Sequence, residues 1–402
     1  MSKNNIITAL DLGSHSIKAI AVQKRKEGDG FSVLSWNANV SDGIKRGVIM
    51  DSDIVTEKIN QTFTKIKAQT RPQKISEVFV NVAGPHIISH TGHGAVAISR
   101  ADQKVSQEDV QRVLDEAKAI NLSSNQEILD VFPKEFIVDQ ETGLKDVIGM
   151  KGIKLEVEAL ALCVFSPYLQ KVVDSVLNSD LQIGEIVPSP IAAADVLLNP
   201  QQKELGVVVI DIGAETTGIA VYEEKNLIHV AVLPVGSAHI TRDIAIALQA
   251  DIEIAEKIKK EFGELIFTKK SKKEKIKLDN EEVFEFDTKK LIQAGKARVE
   301  EIFNLIEKEL KGIKKHDALP AGVILTGGGA KLPGIIEFVK KELKLPVKMG
   351  SPKDFLGCDD DPSMSVVCGL AQRGLMEAVE GSGIMDSQIG SRIKKMFKIF
   401  IP

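Results

Sequence analysis

The chain has 402 residues, 27% charged and 43% hydrophobic, with a formal net charge of −4. That length exceeds one comfortable hydrophobic core, so two or more domains are expected. The mild acidity argues against a nucleic-acid partner, and no uncharged apolar run is long enough to span a bilayer.

Cys163, Cys358 and Cys368 show neither metal-ligand spacing nor a disulfide framework, which points to a reducing cytoplasm. The first residues carry no apolar signal core.

In chain order, the first clear pattern is IITALDLGSHSIKAIAV at 6–22, an apolar strand, an Asp-x-Gly turn and a second strand. It is echoed at 207–221 by VVVIDIGAETTGIAV. One Asp-x-Gly is ordinary turn chemistry. Two copies, each opening a half of the chain, imply related domains facing one another across a ligand. Gly13 and Gly213 permit close backbone approach, and successive amides in such turns form anion-binding nests. Ser14, Thr216 and Thr217 add hydroxyl donors, and Lys18 supplies positive charge. Asp11 and Asp211 would repel a phosphate unless a divalent cation, Mg²⁺ held through water, lay between.

Further along, residues 106–120 have helical spacing with an N-cap at Ser106. The lysine-rich stretch 268–277 is expected to be a solvated loop. Residues 288–313 carry Leu291, Ile302, Leu305, Ile306 and Leu310 at helical spacing. At 322–335 a buried-type strand runs into Gly327, Gly328 and Gly329 and then a helix start, which suits backbone approach to an adenosine. A helix is expected over 362–375.

These motifs, in this order, resemble the actin/Hsp70/sugar-kinase ATPase superfamily, and within it the bacterial cell-division family FtsA. SDGIKRGVIMD (41–51), NVAGPHIISHTGHGAVAIS (81–99), EILDVFPKEFIVD (127–139), IGMKGIKLEVEALAL (148–162) and GSAHITRDIAIALQADIEIAEKIKKEFG (236–263) carry the narrower resemblance. It implies an α/β, actin-like (ribonuclease H-like) two-domain fold with an α+β insert and a C-terminal amphipathic helix. ATP and Mg²⁺ are the implied ligands. By position, Asp11, Gly13, Ser14 and Lys18 match the first phosphate motif, and Asp211, Gly213, Glu215, Thr216 and Thr217 the second. Gly236 matches a glycine near the phosphates, and Gly327 to Gly329 match the adenosine motif. Glu256, Lys259 and Lys260 match a helix bordering ribose and base; the plain alternative is a solvated charge ladder. One departure stands out. Where relatives often carry an acid or amide that orients the attacking water, this chain has Ser189. Nucleotide binding is therefore expected with weak or no turnover, and no catalytic residue is assigned.

The expected organisation places the first core subdomain at 1–83 and 164–200, joined by 358–376, and the insert at 84–163. The second core takes 201–235 and 317–357, an outer subdomain 236–316, a linker 377–390 and a membrane-targeting helix 391–402. The resemblance implies that the outer subdomain receives the C-terminal peptide of the tubulin-like division protein FtsZ, in the region of Lys296, Arg298 and Phe303. It also implies self-assembly into filaments and contacts with later division proteins.

Taken as a helix at about 100° per residue, 389–401 puts Ile389, Ile393, Met396, Phe397 and Phe400 on one face. Arg392, Lys394, Lys395 and Lys398 fall on the other. An apolar stripe opposite a purely basic face, after the polar, glycine-rich EGSGIMDSQIGS, is the pattern of an interfacial anchor on an anionic membrane. About 13 residues at ~1.5 Å each are too short to cross. A peripheral protein on the cytoplasmic face of the cell membrane, at the division site, is expected. The alternatives are a pilus-assembly adaptor with the same core and a sugar-kinase-type phosphotransferase, which Ser189 disfavours. An Hsp70-like chaperone would need more chain after residue 376.

Overall fold

The computed structural model describes residues 6–25, 30–72, 74–263, 272–278, 283–315 and 318–380. The amphipathic segment 389–401 and most of the linker before it lie outside these residues.

β1 (Ile7–Leu12) turns through Gly13 into β2 (Ser16–Lys24), and β2 pairs with β3 (Phe31–Val40); both pairings are antiparallel. β4 (Ile44–Lys45) and β5 (Val48–Ile49) form a short hairpin. Its two-residue turn, Arg46–Gly47, has φ of 49° and 74°, the left-handed geometry that matches strand twist. α1 (Ser52–Gln69) begins at Asp51, whose carboxylate accepts from the amides of Asp53 and Ile54. β6 (Glu77–Val82) then returns parallel to β1.

The chain next leaves for a separate layer. β7 (Ile88–Ala97), α2 (Gln107–Glu116), β8 (Gln126–Val138), β9 (Glu141–Leu144) and β10 (Lys154–Phe165) build a sheet of order β7-β10-β8-β9. α2 opens with a capping box between Ser106 and Asp109 and packs on β7 and β10. It comes close because β7 carries glycines there: a Cβ on Gly94 would sit 2.0 Å from the carbonyl oxygen of Val113.

α3 (Ser166–Leu177), β11 (Gln182–Pro188), α4 (Ser189–Leu197) and α5 (Pro200–Leu205) lead to the second half. There β12 (Val207–Ile212), β13 (Thr217–Glu223) and β14 (Asn226–Leu233) form another antiparallel meander. α6 (Ser237–Leu248), α7 (Ile252–Phe262), β15 (Lys273–Lys277), β16 (Val283–Asp287) and α8 (Thr288–Gly312) form an outer layer. β17 (Gly322–Thr326) then pairs parallel with β12, followed by α9 (Ile335–Leu343) and β18 (Val347–Met349). β19 (Phe355–Leu356) pairs with β3, and α10 (Ser365–Glu380) packs on β1, β2 and α4.

The sequence echo is thus an echo of topology. The order β6-β1-β2-β3 in one sheet matches β17-β12-β13-β14 in the other. β1 is buried along its whole length and β12 nearly so, as expected of central strands covered on both faces. The halves meet through α4 and α10, which cross at small residues: a Cβ on Gly369 would lie 1.7 Å from the Ala192 carbonyl oxygen. Beside this crossing, Arg373 donates to Asp195 at 2.8 Å and to Glu185, so a buried guanidinium is doubly paired.

Two sequence expectations are corrected. The lysine-rich stretch is not all loop, since Lys273–Lys277 form β15 and pair with β16, where Ile276 and Phe286 supply buried anchors. The second core also ends earlier than 357, because Phe355–Leu356 have already crossed to β3; stacking of Phe355 on Phe31 at 4.6 Å fixes that return.

Candidate functional site

A cavity of about 980 Å³ lies between the halves. Its lining follows from where the strands end. Asp11, Gly13, Ser14 and Lys18 come from the β1–β2 hairpin, and Asp211, Gly213 and Thr216 from the equivalent β12–β13 hairpin. Gly327, Gly328 and Gly329 follow β17, and Glu256, Lys259 and Lys260 reach in from α7. The motifs read from the sequence therefore converge on one space from four elements.

Each glycine of the triplet has its own reason. Gly327 has φ +86°, and a Cβ there would lie 2.3 Å from Asp211 Oδ1. A Cβ on Gly329 would lie 2.4 Å from Ile212 Cγ2. Only Gly328 has room, its nearest neighbour being Ser363 at 4.0 Å. Two of the three glycines thus let the turn pack on β12, and the third leaves open space.

The electrostatics are those of an anion site with a gap for a cation. Lys18 Nζ sits 2.9 Å from Asp11 Oδ2. Burial works against the lysine's charge, but Asp11, with Asp211 beyond it, holds its pKa above the usual range. Asp211 gains less. Burial, followed by repulsion from Asp11, pushes its carboxyl up to about 7. Two carboxylates with a single ammonium near them are a donor set that fits a divalent cation. At the other end Lys259 Nζ pairs with Glu256 at 2.6 Å and donates to Thr241 Oγ1 at 2.8 Å. Lys260 pairs with the same carboxylate at 3.4 Å. Ile252, Leu332 and Pro333 give this end an apolar lining. A ligand with a polyanionic end and a flat, partly apolar end matches both regions.

Sequence reasoning missed two features. Asn81, at the end of β6, accepts from the Leu12 amide at 2.6 Å. It donates to Asp11 Oδ1 at 3.1 Å and to Ser189 Oγ at 2.9 Å. One buried amide thus fixes the first loop, its carboxylate and the start of α4. Its signal was an asparagine amid the hydrophobic VFVNV, where a buried polar group needs partners. The second is the tip of the β4–β5 hairpin. The Gly47 N–H donates to Ser14 Oγ at 2.9 Å, and the Arg46 N–H donates to Glu215 Oε2 at 2.8 Å. Arg242 pairs with the other Glu215 oxygen. Burial opposes the Glu215 charge, but these donors hold its pKa below the usual carboxylate range.

Several expected ligand contacts are corrected on the same geometry. Glu215 does not line the cavity; it ties the hairpin of the first half to α6 of the second. Thr217 is fully buried, and its hydroxyl donates to the Val235 carbonyl at 2.8 Å, which leaves nothing for a phosphate. Gly236 stands behind the second loop, where a Cβ would lie 2.7 Å from the carbonyl oxygens of Gly213 and Ala214. The expected partner contacts on α8 change as well. Phe303 has no exposed surface and belongs to the core under α8, so it cannot touch a partner. Arg298 is held by Asp243 at 2.6 Å and Glu301 at 2.6 Å, and Lys296 pairs with Glu300 at 3.2 Å.

Paired phosphate-type hairpins and a glycine turn around a cleft between duplicated halves define an actin-like protein. Solved structures share the architecture. A PilM–PilN type IV pilus biogenesis complex chain matches with a TM-score of 0.66 at 16% identity, over 92% of this chain and 99% of that one. MreB5 of Spiroplasma citri bound to ADP matches with a TM-score of 0.59 at 13% identity, over 94% and 99%. Identity this low speaks for the fold alone. The sequence goes further. The family model for cell division protein FtsA matches residues 208–369, and that for the SHS2 domain inserted in FtsA matches 84–163. Cell division protein FtsA of Pseudomonas aeruginosa is 30% identical, over 95% of this chain and 92% of the relative. That of Bacillus subtilis is 31% identical, over 92% and 84%. The chain belongs to the FtsA family: it is an actin-like cell-division protein.

Proposed function

We propose that this protein binds Mg-ATP in the cleft, assembles into filaments, and tethers FtsZ filaments to the cytoplasmic face of the cell membrane. The observation that carries the reading is the convergence of both hairpins, the glycine turn and α7 on one cavity. The triphosphate lies against the loops of Gly13 and Gly213, with Ser14, Thr216 and Lys18 as donors. The base lies between Gly328 and the α7 side of the cavity. Asp11 and Asp211 would hold Mg²⁺ through water, and the ion would neutralise phosphate charge beside the two carboxylates.

The nucleotide serves mainly as a structural ligand. Turnover needs a group that orients water against the γ-phosphate. Ser189 Oγ already accepts from Asn81 and faces the Val82 carbonyl at 3.3 Å, and the Asn81 amide is committed to Leu12, Asp11 and Ser189. ATP bridging the loops sets the angle at which the halves meet about α4 and α10.

The outer layer, α6 to α8, receives the FtsZ C-terminal peptide, through exposed side chains other than Phe303. Residues 389–401 anchor the chain on anionic lipid. One tail contributes little net free energy: roughly 1 kcal/mol for each of its basic residues and roughly 1.5–3 for each apolar side chain, set against roughly 1–2 per ordered residue. A filament presenting many tails binds firmly through effective concentration. Later division proteins join the assembled filament; no nucleic acid is involved.

Vesicle flotation tests this reading. With Mg-ATP and the full chain, FtsZ filaments should float with anionic vesicles and show protein filaments on a lipid monolayer by electron microscopy. FtsZ that stays with the unbound fraction whatever the nucleotide would refute it.

A further inference from the structure

β3 leaves a narrow apolar strip in solvent. Ser35, Asn37 and Asn39 face α1: Asn37 and Asn39 donate to Thr62 at 3.1 and 3.0 Å, and Ser35 to Gln69. The alternate residues face the other side of the sheet, where α10 packs chiefly on β1 and β2. There Leu34 and Trp36 remain 38% exposed and Val40 68%, with exposed Ala38 between. From Leu34 to Val40 at ~3.3 Å per residue the strip is ~20 Å long.

α10 runs down this same side of the sheet. Its first residues lie at the cavity, where Val366 is part of the lining. Near its end Gly374 rests on Ile7 and Phe79. Ile7 is in register with Val22, and Val22 with Val33. The chain beyond Glu380, 402 − 380 = 22 residues, therefore continues from α10 where it lies over β6 and β1, level with the start of β3 and two strands away from it. A tether of residues 381–388 reaches up to ~26 Å when extended, enough to lay the last residues along the strip. Those residues carry the stripe Ile389, Ile393, Met396, Phe397 and Phe400, which spans ~20 Å as a helix.

We infer that, away from lipid, residues 389–401 dock on the Leu34–Trp36–Val40 strip of their own chain, so that this strip and the membrane compete for one apolar stripe. The inference rests on reading the tail as an anchor, and it adds a resting state. A subunit free in solution shields its anchor, and membrane binding uncovers β3 at the same time as it occupies the tail.

Trp36 is the single tryptophan and sits in the strip, so it reports directly. The full chain is compared with full-length Phe397→Glu by acrylamide quenching of tryptophan emission. Without lipid, the quenching constant of the parent should be roughly half that of the variant, because a docked stripe covers the exposed indole face. Anionic phosphatidylglycerol vesicles should raise the parent to the variant's value and leave the variant unchanged. Equal quenching of the two proteins without lipid overturns the proposal. Protection lost on dilution assigns the strip to a second copy and overturns it too. Val40→Asp provides the second arm: with its dock weakened, it should pellet with limiting vesicles several-fold more than the parent, and equal pelleting overturns the competition. If no form pellets while Phe397→Glu still exposes Trp36, the docking stands and the anchor reading fails.

Discussion

Asp211→Asn separates the ligand role of the cleft from its cost to the folded chain. Burial and the neighbouring Asp11 push the Asp211 carboxyl from 3.8 to about 7. Between those values the folded chain holds a proton that the unfolded chain has lost, so the penalty is absent below pH ~4, grows as pH rises, and is complete above ~7. Three pH units at ~1.4 kcal/mol each set a ceiling of ~4 kcal/mol. Asp211 is partly exposed to the cleft, and solvent there lowers the effect to about 2 kcal/mol. Asparagine keeps the shape without the charge. Without ligand, the variant should unfold at higher denaturant than the parent at pH 8, with the gain shrinking towards pH 5. Mg-ATP should reverse the order at pH 8, since only the parent gains by placing a cation between two carboxylates. Urea melts at the two pH values, with and without Mg-ATP, read this out. A gain of the same size at pH 5 and pH 8 would refute the electrostatic reasoning, and equal stabilisation by Mg-ATP would refute the cation assignment.

Other perturbations probe the frame around that site. Glu215→Gln weakens the link from Arg46 to Arg242; after discounting the half-exposed arginine, ~1–2 kcal/mol is lost, and release of a fluorescent ATP analogue in stopped flow should speed up ~5- to 30-fold. An unchanged rate would mean the clasp does not control opening. Asn81→Ala strands the buried Leu12 amide and should cost roughly 1–3 kcal/mol in urea unfolding and also weaken ATP binding. Arg373→Met removes the guanidinium that pairs with both Glu185 and Asp195, leaving Asp195 to the more distant Lys203 at 3.6 Å, and should cost roughly 3–5 kcal/mol in urea unfolding. Gly369→Ala cannot be accommodated where α10 touches the Ala192 carbonyl, so the halves should lose their contact, seen as early proteolysis between them.

Both hairpins were legible in the sequence because a strand, an Asp-x-Gly turn and a second strand form a local pattern, and its repetition exposed the duplication. The glycine turn, the capping box at Ser106 and the α8 stripe were legible for the same reason: the residues that decide each lie within a few positions of one another. The amphipathic pattern of 389–401 is likewise a property of the sequence alone. Tertiary structure decided which of the local candidates face the cleft. Thr216 lines it from the turn, while Thr217, one residue on, begins β13 and is buried with its hydroxyl on the Val235 carbonyl. Glu215, written inside a phosphate motif, became a clasp because the Arg46–Gly47 turn, some 170 residues earlier, closes over it. Phe303 was placed in a partner-binding region by resemblance alone, and the packing of α8 puts it in the core. Asn81 acquired its role only when β1, β6 and α4 met, since hydrogen bonds between residues 69 and 108 positions apart leave no trace in any local pattern.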